Sequence, residues 1–255
     1  MDISLIFACS LVAIMGLPHG ALDPFVAYRS GLIKDLVTAL GFIFIYVLTM
    51  CVIILSWWML PEPMLIIFLL LSAYHFGRDW GDIVDWRGFG YGALVVGLPA
   101  LTQTTQVTQI FSFLLFGVSP LISIQILQII GLVGAIVVLV NSRRLQWQHY
   151  IQIAGLVGLS LLVSPLWYFV CYFCLLHSPH HLWNEISKIP HHQRHLAYLI
   201  ILATTLVTVA IFVVATIFQF NTNLNMHASI YQSLFIGLAA LTVPHMFLLE
   251  WADRR

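Results

Sequence analysis

Histidine is the residue type in this chain that can do chemistry, because imidazole binds transition metals and is costly to bury in a membrane. The chain has 11 histidines, and those of interest end long apolar stretches: His19, His75, His177 with His181, and His245. His177 and His181 are four residues apart and share one face of a helix. Both rings can therefore point at one ion.

A carboxylate follows three of these histidines at a spacing of four residues, in the pairs His19/Asp23, His75/Asp79 and His181/Glu185. A metal-bound imidazole usually donates its other N–H to a carboxylate or a carbonyl. The three pairs therefore indicate metal ligands held by acidic hydrogen-bond partners. A single histidine near a membrane boundary more often makes only a hydrogen bond, but four segments that can converge favour a shared metal site.

The remaining histidines fit other roles. Those expected in loops are predicted not to bind metal: His149, His191, His192, His195 and His227. His180 is rotated by about 100° from His181 around a helix axis and should face elsewhere.

Imidazole ligands suit iron, copper, zinc and nickel. Four neutral donors leave the charge of the ion uncompensated, which favours a lower oxidation state such as iron(II). Six-coordinate iron with four protein ligands keeps positions open for dioxygen, whereas a closed tetrahedral zinc site has none. The residues alone leave copper and zinc as alternatives.

The elements that must position these histidines are membrane helices. Sixty-one per cent of the residues are hydrophobic and 8 per cent are charged. The stretches 36–60, 88–142, 145–184 and 195–249 contain no Asp, Glu, Lys or Arg, and each exceeds the roughly 20 apolar residues that span a bilayer. We predict an all-α, polytopic integral membrane bundle forming one domain over residues 1–255. The net charge of zero gives no support for nucleic-acid binding.

The positive residues predict the topology. All ten Lys and Arg residues fall between the uncharged stretches or at the C-terminus, in the clusters Arg29/Lys34, Arg78/Arg87, Arg143/Arg144, Lys188/Arg194 and Arg254/Arg255. Such clusters mark the cytoplasmic side, so an even number of helices should join each pair. Breaks at 61–63, 99–109, 164–165 and 221–225 then give about nine crossings (seven to nine). The N-terminus lies outside, the C-terminus lies in the cytoplasm, and the histidines lie near the cytoplasmic ends.

The chain resembles the Brp/Blh family of membrane β-carotene 15,15′-dioxygenases, which often occur beside retinal-binding rhodopsins. The matching motifs are Gly16-Leu-Pro-His-Gly-Ala-Leu-Asp23, His75-Phe-Gly-x-x-Asp79, His177-Ser-x-x-His181 and Pro244-His245-Met246. The resemblance implies a multi-pass enzyme of the cell (inner) membrane that uses Fe(2+) and O2 to cleave β-carotene centrally into two retinal molecules. It also implies iron ligands at His19, His75, His177 and His181.

The same resemblance places acidic positions at Asp23 and Asp79 and a family histidine of unassigned role at His245. With Glu185, these residues are candidates for hydrogen bonding to the ligands, and His245 can also replace a ligand. Dioxygen and β-carotene are the implied substrates, and a functional link to a rhodopsin is implied as well.

Three other classes of membrane protein fit less well. A retinal-binding rhodopsin needs a lysine inside a helix, whereas Lys34 and Lys188 lie at boundaries. A di-iron desaturase or hydroxylase fits His177-x-x-His180-His181 but needs an early HxxxH box that the chain lacks. A metal transporter or haem carrier would need polar residues along a path or paired haem ligands.

Overall fold

The computed structural model describes residues 3–80, 85–223 and 225–253, so the predicted charge cluster Arg254/Arg255 lies outside the described residues. Helices make up 90% of the structure, and no strand occurs in the described part, which confirms the all-α prediction. Five described segments are long and apolar enough to cross a membrane: Ile3–Arg29, Leu36–Met59, Leu121–Val140, His191–Thr222 and Met226–Ala252. The structure is therefore compatible with that of a helical membrane protein.

The chain divides into two compact units. The first unit contains the residues up to Met59 and those from Phe173 onward, and the second contains Leu60–Tyr172. The first unit opens with α1 (Ile3–Leu11), a π-helical turn (Val12–Gly16), a 3-10 turn (Leu17–Leu22), α2 (Asp23–Arg29) and α3 (Leu36–Met59).

The second unit is built from α4 (Pro61–Gly77), α5 (Trp86–Thr102), α6 (Thr104–Leu114), α7 (Leu121–Val140), α8 (Trp147–Leu162) and α9 (Pro165–Cys171). The carboxylate of Asp85 caps α5 by accepting from the backbone N–H groups of Arg87 and Gly88, each at 2.9 Å, as expected of an N-cap aspartate. Glycines allow α4, α5 and α7 to approach closely. A Cβ atom on Gly92 of α5 would lie 1.9 Å from the Ala73 carbonyl oxygen of α4.

The first unit continues after a second π-helical turn (Tyr172–His177), which starts at the unit boundary. It contains α10 (Ser178–Ser187), α11 (Arg194–Asn223) and α12 (Met226–Asp253). α12 packs against both α3 and α11. Two buried apolar clusters fix α2 and the 3-10 turn: Leu22, Phe25, Ile189 and Ala197 form one, and Val26, Ala27, Leu248 and Leu249 form the other.

Three of the four helix breaks predicted from Pro and polar residues are confirmed. The fourth, predicted at 99–109, is only one residue long, because Pro99 lies inside α5 and residues 104–109 lie in α6. α3 ends at Met59 and α4 begins at Pro61, a break falls at Gln103 between α5 and α6, α9 begins at Pro165, and α11 ends at Asn223. The segment between the second pair of clusters also contains α6, which has 11 residues. A helix of this length extends only about 17 Å and is too short to cross a bilayer.

Candidate metal centre

His19 lies on an irregular stretch of backbone. The π-helical turn Val12–Gly16 passes into the 3-10 turn Leu17–Leu22, and Pro18 is the second residue of the 3-10 turn. Changes in helical register release carbonyl groups from the regular ladder and are frequent at functional sites. The Gly16 carbonyl accepts a hydrogen bond from His19 Nδ1 at 2.5 Å and one from Ser178 Oγ at 3.1 Å. The irregular turn therefore orients His19 and anchors the start of α10.

His177 and His181 are positioned by the second π-helical turn and by α10. His177 ends the turn and is buried, whereas His181 lies one helical turn further and is half-buried. Their rings are nearly parallel, with an interplanar angle of 11° and centroids 6.4 Å apart. The predicted common face of the two histidines is confirmed by this arrangement.

His19 lies at the centre of a histidine cluster in the first unit. Its ring is edge-on to those of His177, His181 and His245, with centroid distances of 5.4, 5.7 and 5.3 Å. His181 and His245 are themselves 5.4 Å apart. Phe173 stacks on His177 and meets His19 edge-on, so it forms an apolar wall of the cluster.

His245 is held by a buried carboxylate. Its Nδ1 donates to Asp23 Oδ1 at 2.7 Å, and Tyr46 Oη donates to Asp23 Oδ2, also at 2.7 Å. Asp23 and His245 are both buried. An imidazole whose Nδ1–H is bonded to an oxygen carries its lone pair on Nε2, which is the arrangement of a metal ligand. His19 and His245 each offer a ligand atom, and these atoms lie within 4.8 Å of one another.

The acids bond to different groups from those expected. Asp23 bonds to His245 and Tyr46, whereas the sequence pattern placed it beside His19. Glu185 accepts from Arg29 Nη2 at 2.8 Å and from Lys188 Nζ at 2.6 Å, so its charge is matched by two cations of the first unit. Helical spacing places two residues on one face, but His245, Tyr46 and Arg29 compete from other helices.

In the second unit, His75 lies in the last turn of α4 and is buried. Asp79 accepts a hydrogen bond from Tyr172 Oη at 2.5 Å, and the Tyr172 ring packs edge-on against Phe76. His75 is therefore buried in this unit, and Asp79 bonds to Tyr172 of the same unit.

The histidines predicted not to bind metal lie mainly on exposed positions. His180, His191, His192, His195 and His227 are exposed, and His149 is half-buried with its ring 4.5 Å from that of Trp80. The loop assignment was wrong in detail, because His149, His195 and His227 lie in the first turns of α8, α11 and α12. The exposure of His180 confirms that it faces away from His181.

A cavity of about 450 Å³ adjoins the cluster within the first unit. His19, Asp23 and His245 line it, and Tyr46 and Phe173 also contribute. The rest of the wall comes mainly from apolar residues on single faces of α3, α11 and α12. Predominantly apolar walls with a few polar groups are typical of small-molecule sites.

The spacing of the histidine rings in the first unit is compatible with a shared metal ion. A metal–nitrogen bond of about 2.0–2.1 Å places the centre of a ligating ring about 3 Å from the ion, so two such rings lie at most about 6.5 Å apart. The four rings of the first unit satisfy this limit in every measured pair, from 5.3 to 6.4 Å. Four imidazoles are also donors that suit transition metals.

Tyr46 was missed by the sequence-based search for site residues. Its signal was its place in α3, since it is the single tyrosine of that helix and stands near the middle of the apolar stretch. Membrane tyrosines concentrate at the interfaces, so a central one needs a partner. Tyr46 is ten residues from the start of α3, about 15 Å along the axis, so the site lies near the middle of α3. The sequence had instead predicted that the histidines lie near the cytoplasmic ends of their helices.

The fold and the cluster define a helical protein with membrane-type helices and a buried histidine site that can hold a metal. The chain belongs to the β-carotene 15,15′-dioxygenase family, whose model matches residues 10–253. A protein from uncultured marine bacterium 66A03, named β-carotene 15,15′-dioxygenase, is 33% identical over 97% of this chain and 93% of its own length. No solved structure matches the chain significantly. The chain is thus an oxygenase of the carotenoid-cleaving class, and the family expected from the motifs is confirmed.

Proposed function

We propose that this protein is a non-haem iron(II) dioxygenase that cleaves the central 15,15′ double bond of β-carotene with O2 and forms two molecules of retinal. The observation that carries the proposal is the histidine cluster, two members of which line an apolar cavity, in a chain of this family. The name of the marine bacterial relative supports the substrate and the bond.

The proposed iron ligands are His19, His75, His177 and His181. Mutual distances in the first unit support His19, His177 and His181. The motif supports His75 of the second unit. Asp79 and Glu185 are proposed to hold the surrounding helices through their hydrogen bonds to Tyr172, Arg29 and Lys188.

His245 has equal standing as a ligand. It contacts His19 and His181, and its Nδ1 is bonded to the buried Asp23 carboxylate. That hydrogen bond supplies negative charge next to an otherwise neutral donor set, which raises the basicity of the imidazole. Iron content decides its role: loss of iron from the His245→Ala protein identifies a ligand, and retention identifies a residue that only lines the site.

Bound iron(II) supplies the activation of dioxygen that organic side chains lack. The protein positions the substrate and excludes water from the site. The half-buried Phe42 and the buried Leu238 of the cavity wall hold the polyene and exclude water, and Phe173 packs against the histidines that the polyene must approach. Asp23 keeps the proton of His245 on Nδ1. No acid, base or nucleophile is needed for this oxidative cleavage.

The same proposal includes nine crossings with the N-terminus outside and the C-terminus in the cytoplasm, in the cell (inner) membrane. The crossings would be Ile3–Arg29, α3, α4, α5, α7, α8, the α9–α10 segment, α11 and α12. The whole chain would act as one catalytic domain. Retinal is the ligand of rhodopsins, so a functional link to such a protein is included.

The test is expression in bacteria that accumulate β-carotene, with retinoids measured by chromatography and iron measured on the purified protein. We expect retinal in place of β-carotene and one iron per chain. Unchanged β-carotene beside membrane-inserted, iron-loaded protein would contradict the proposal. Two irons per chain with a hydroxylated or desaturated carotenoid would support the di-iron alternative, although His180, His191, His192 and His195 are exposed.

A further inference from the structure

The cavity beside the histidines reaches the outer surface of the first unit between α3 and α11. Its lining includes Ile43 and Val47 of α3 and Val207 and Ile211 of α11. These four side chains are all at least half exposed, from 50% for Val47 to 60% for Val207. The same cavity is also lined by the buried His245 and Asp23. The cavity therefore runs from the buried site to an open rim.

The rim lies on apolar, exposed helix surfaces of the kind that contact lipid. The spans Leu36–Met59 and His191–Thr222 are both apolar enough to cross a membrane, and each contains an 18-residue apolar stretch with no residue buried inside the protein. Val47 is the twelfth of the 24 residues in the first span, and Val207 is the seventeenth of the 32 in the second. Twelve residues rise about 18 Å, so the rim faces the middle of the hydrocarbon layer and not its polar surface.

The walls between the rim and the histidines present little that would bind a polar molecule. The hydroxyls of Thr204 and Thr208 bond to the carbonyls of Ile200 and Thr204 at 2.6 and 2.9 Å. The hydrogens of both hydroxyls are thus donated to carbonyl groups of the protein. α3 and α11 both pack on α12, and the cavity occupies the space between them.

We propose that Ile43, Val47, Val207 and Ile211 form a lateral portal, through which the linear apolar polyene passes directly between the bilayer core and the histidine site. This inference rests on the proposed function for the identity of the occupant. An extended hydrocarbon dissolves in the bilayer core, so an entrance at this depth avoids exposing it to water. The portal residues are then specificity-determining residues that admit a narrow polyene.

Tryptophan substitutions at the portal test the route. Val47→Trp and Val207→Trp place a large side chain at the rim, and Leu48→Trp and Leu206→Trp are matched controls. The control positions are 49% and 60% exposed on the same helices and do not line the cavity. Holoenzyme in proteoliposomes is mixed without oxygen with vesicles containing β-carotene, and the carotenoid retained is measured over time by absorbance. We expect uptake at least tenfold slower in the portal variants and within twofold of wild type in the controls.

Admitting oxygen to the loaded samples separates entry from chemistry. The first turnover of preloaded substrate should keep the wild-type rate in the portal variants, because the obstacle has already been passed. Equal uptake by portal and control variants would overturn the portal, as would equal slowing by all four. A first turnover slowed as much as uptake would overturn it too, since the residues would then position the bound polyene.

Two further outcomes distinguish a failure of the portal from a failure of the proposed function. Normal uptake without retinal after oxygen is admitted would contradict the function while still reporting on the portal. If the tryptophan proteins do not fold, Val47→Ala and Val207→Ala replace them, and uptake should rise above wild type through a wider rim. Unchanged uptake in both alanine proteins would overturn the portal.

Discussion

Two regions of this protein differ in the behaviour of their backbones. The histidine region, defined as Val12–Leu22 with Tyr172–Ser187, interrupts its helices with π-helical and 3-10 turns. The glycine scaffold, defined as α4, α5 and α7, keeps regular helices that approach until backbones touch. Irregular turns release carbonyls that orient polar side chains, whereas regular helices with small residues maximise packing. Substitutions in the histidine region should therefore affect chemistry, and substitutions in the scaffold should affect stability.

The largest expected effect is at the histidines. His181→Ala should lower retinal formation by more than a hundredfold and reduce bound iron, because a ligand is removed. The matched control is His180→Ala, one residue away and exposed, which should stay within about twofold of wild type. Both proteins are compared for retinal output and metal content at equal membrane expression. Equal losses would show that the two neighbours act through the helix and not through the metal.

The second largest effect is expected at Asp23. Asp23→Asn keeps the shape but weakens the hydrogen bond to His245, and partners of metal-ligating histidines typically change metal affinity or activity by about 10- to 100-fold. Tyr46→Phe removes one hydrogen bond to the same carboxylate and should have a smaller effect. Iron affinity is measured by competition with a chelator. A larger loss of iron affinity for Tyr46→Phe than for Asp23→Asn would contradict the prediction that Asp23 matters more than Tyr46 for the metal site.

The scaffold predicts a loss of stability. In Gly92→Ala, the new Cβ would fall 1.9 Å from the Ala73 carbonyl oxygen, so α4 and α5 must separate. Such overpacking costs about 1–3 kcal/mol or more. The control is Gly155→Ala in α8, where a Cβ meets nothing within 4 Å. Thermal unfolding in detergent should show a lower Tm for Gly92→Ala alone, with iron per folded chain unchanged. A Gly92→Ala protein as stable as the control would show that the approach is not tight.

The smallest effect is expected at Glu185. Its carboxylate is matched by Arg29 and Lys188, so Glu185→Gln should change turnover by less than about twofold while lowering stability modestly. Retinal formation and Tm are measured together, with Arg29→Gln as the partner variant. A loss of iron in Glu185→Gln but not in Arg29→Gln would restore the pairing with His181 that the sequence spacing suggested.

The membrane class, the helix breaks and the main histidines were readable from the residues. Prolines and polar clusters interrupt apolar stretches in one dimension, so the boundaries at Pro61 and Pro165 needed no tertiary information. The histidine motifs are likewise local, as in His177-Ser-x-x-His181. The carboxylate partners were harder, because a local spacing of four residues competes with groups from helices far away in the chain, such as the 222 positions between Asp23 and His245.

By itself the sequence determined an all-helical apolar chain with histidines at segment ends and the motifs of a carotenoid-cleaving family, because composition and short spacings carry that information. Only the tertiary structure decided that His245 joins His19, that Tyr46 supports Asp23 and that a cavity opens between α3 and α11. These features depend on which faces of distant helices meet. Packing of the whole helix surface sets that choice, and a one-dimensional pattern of apolar residues leaves it open.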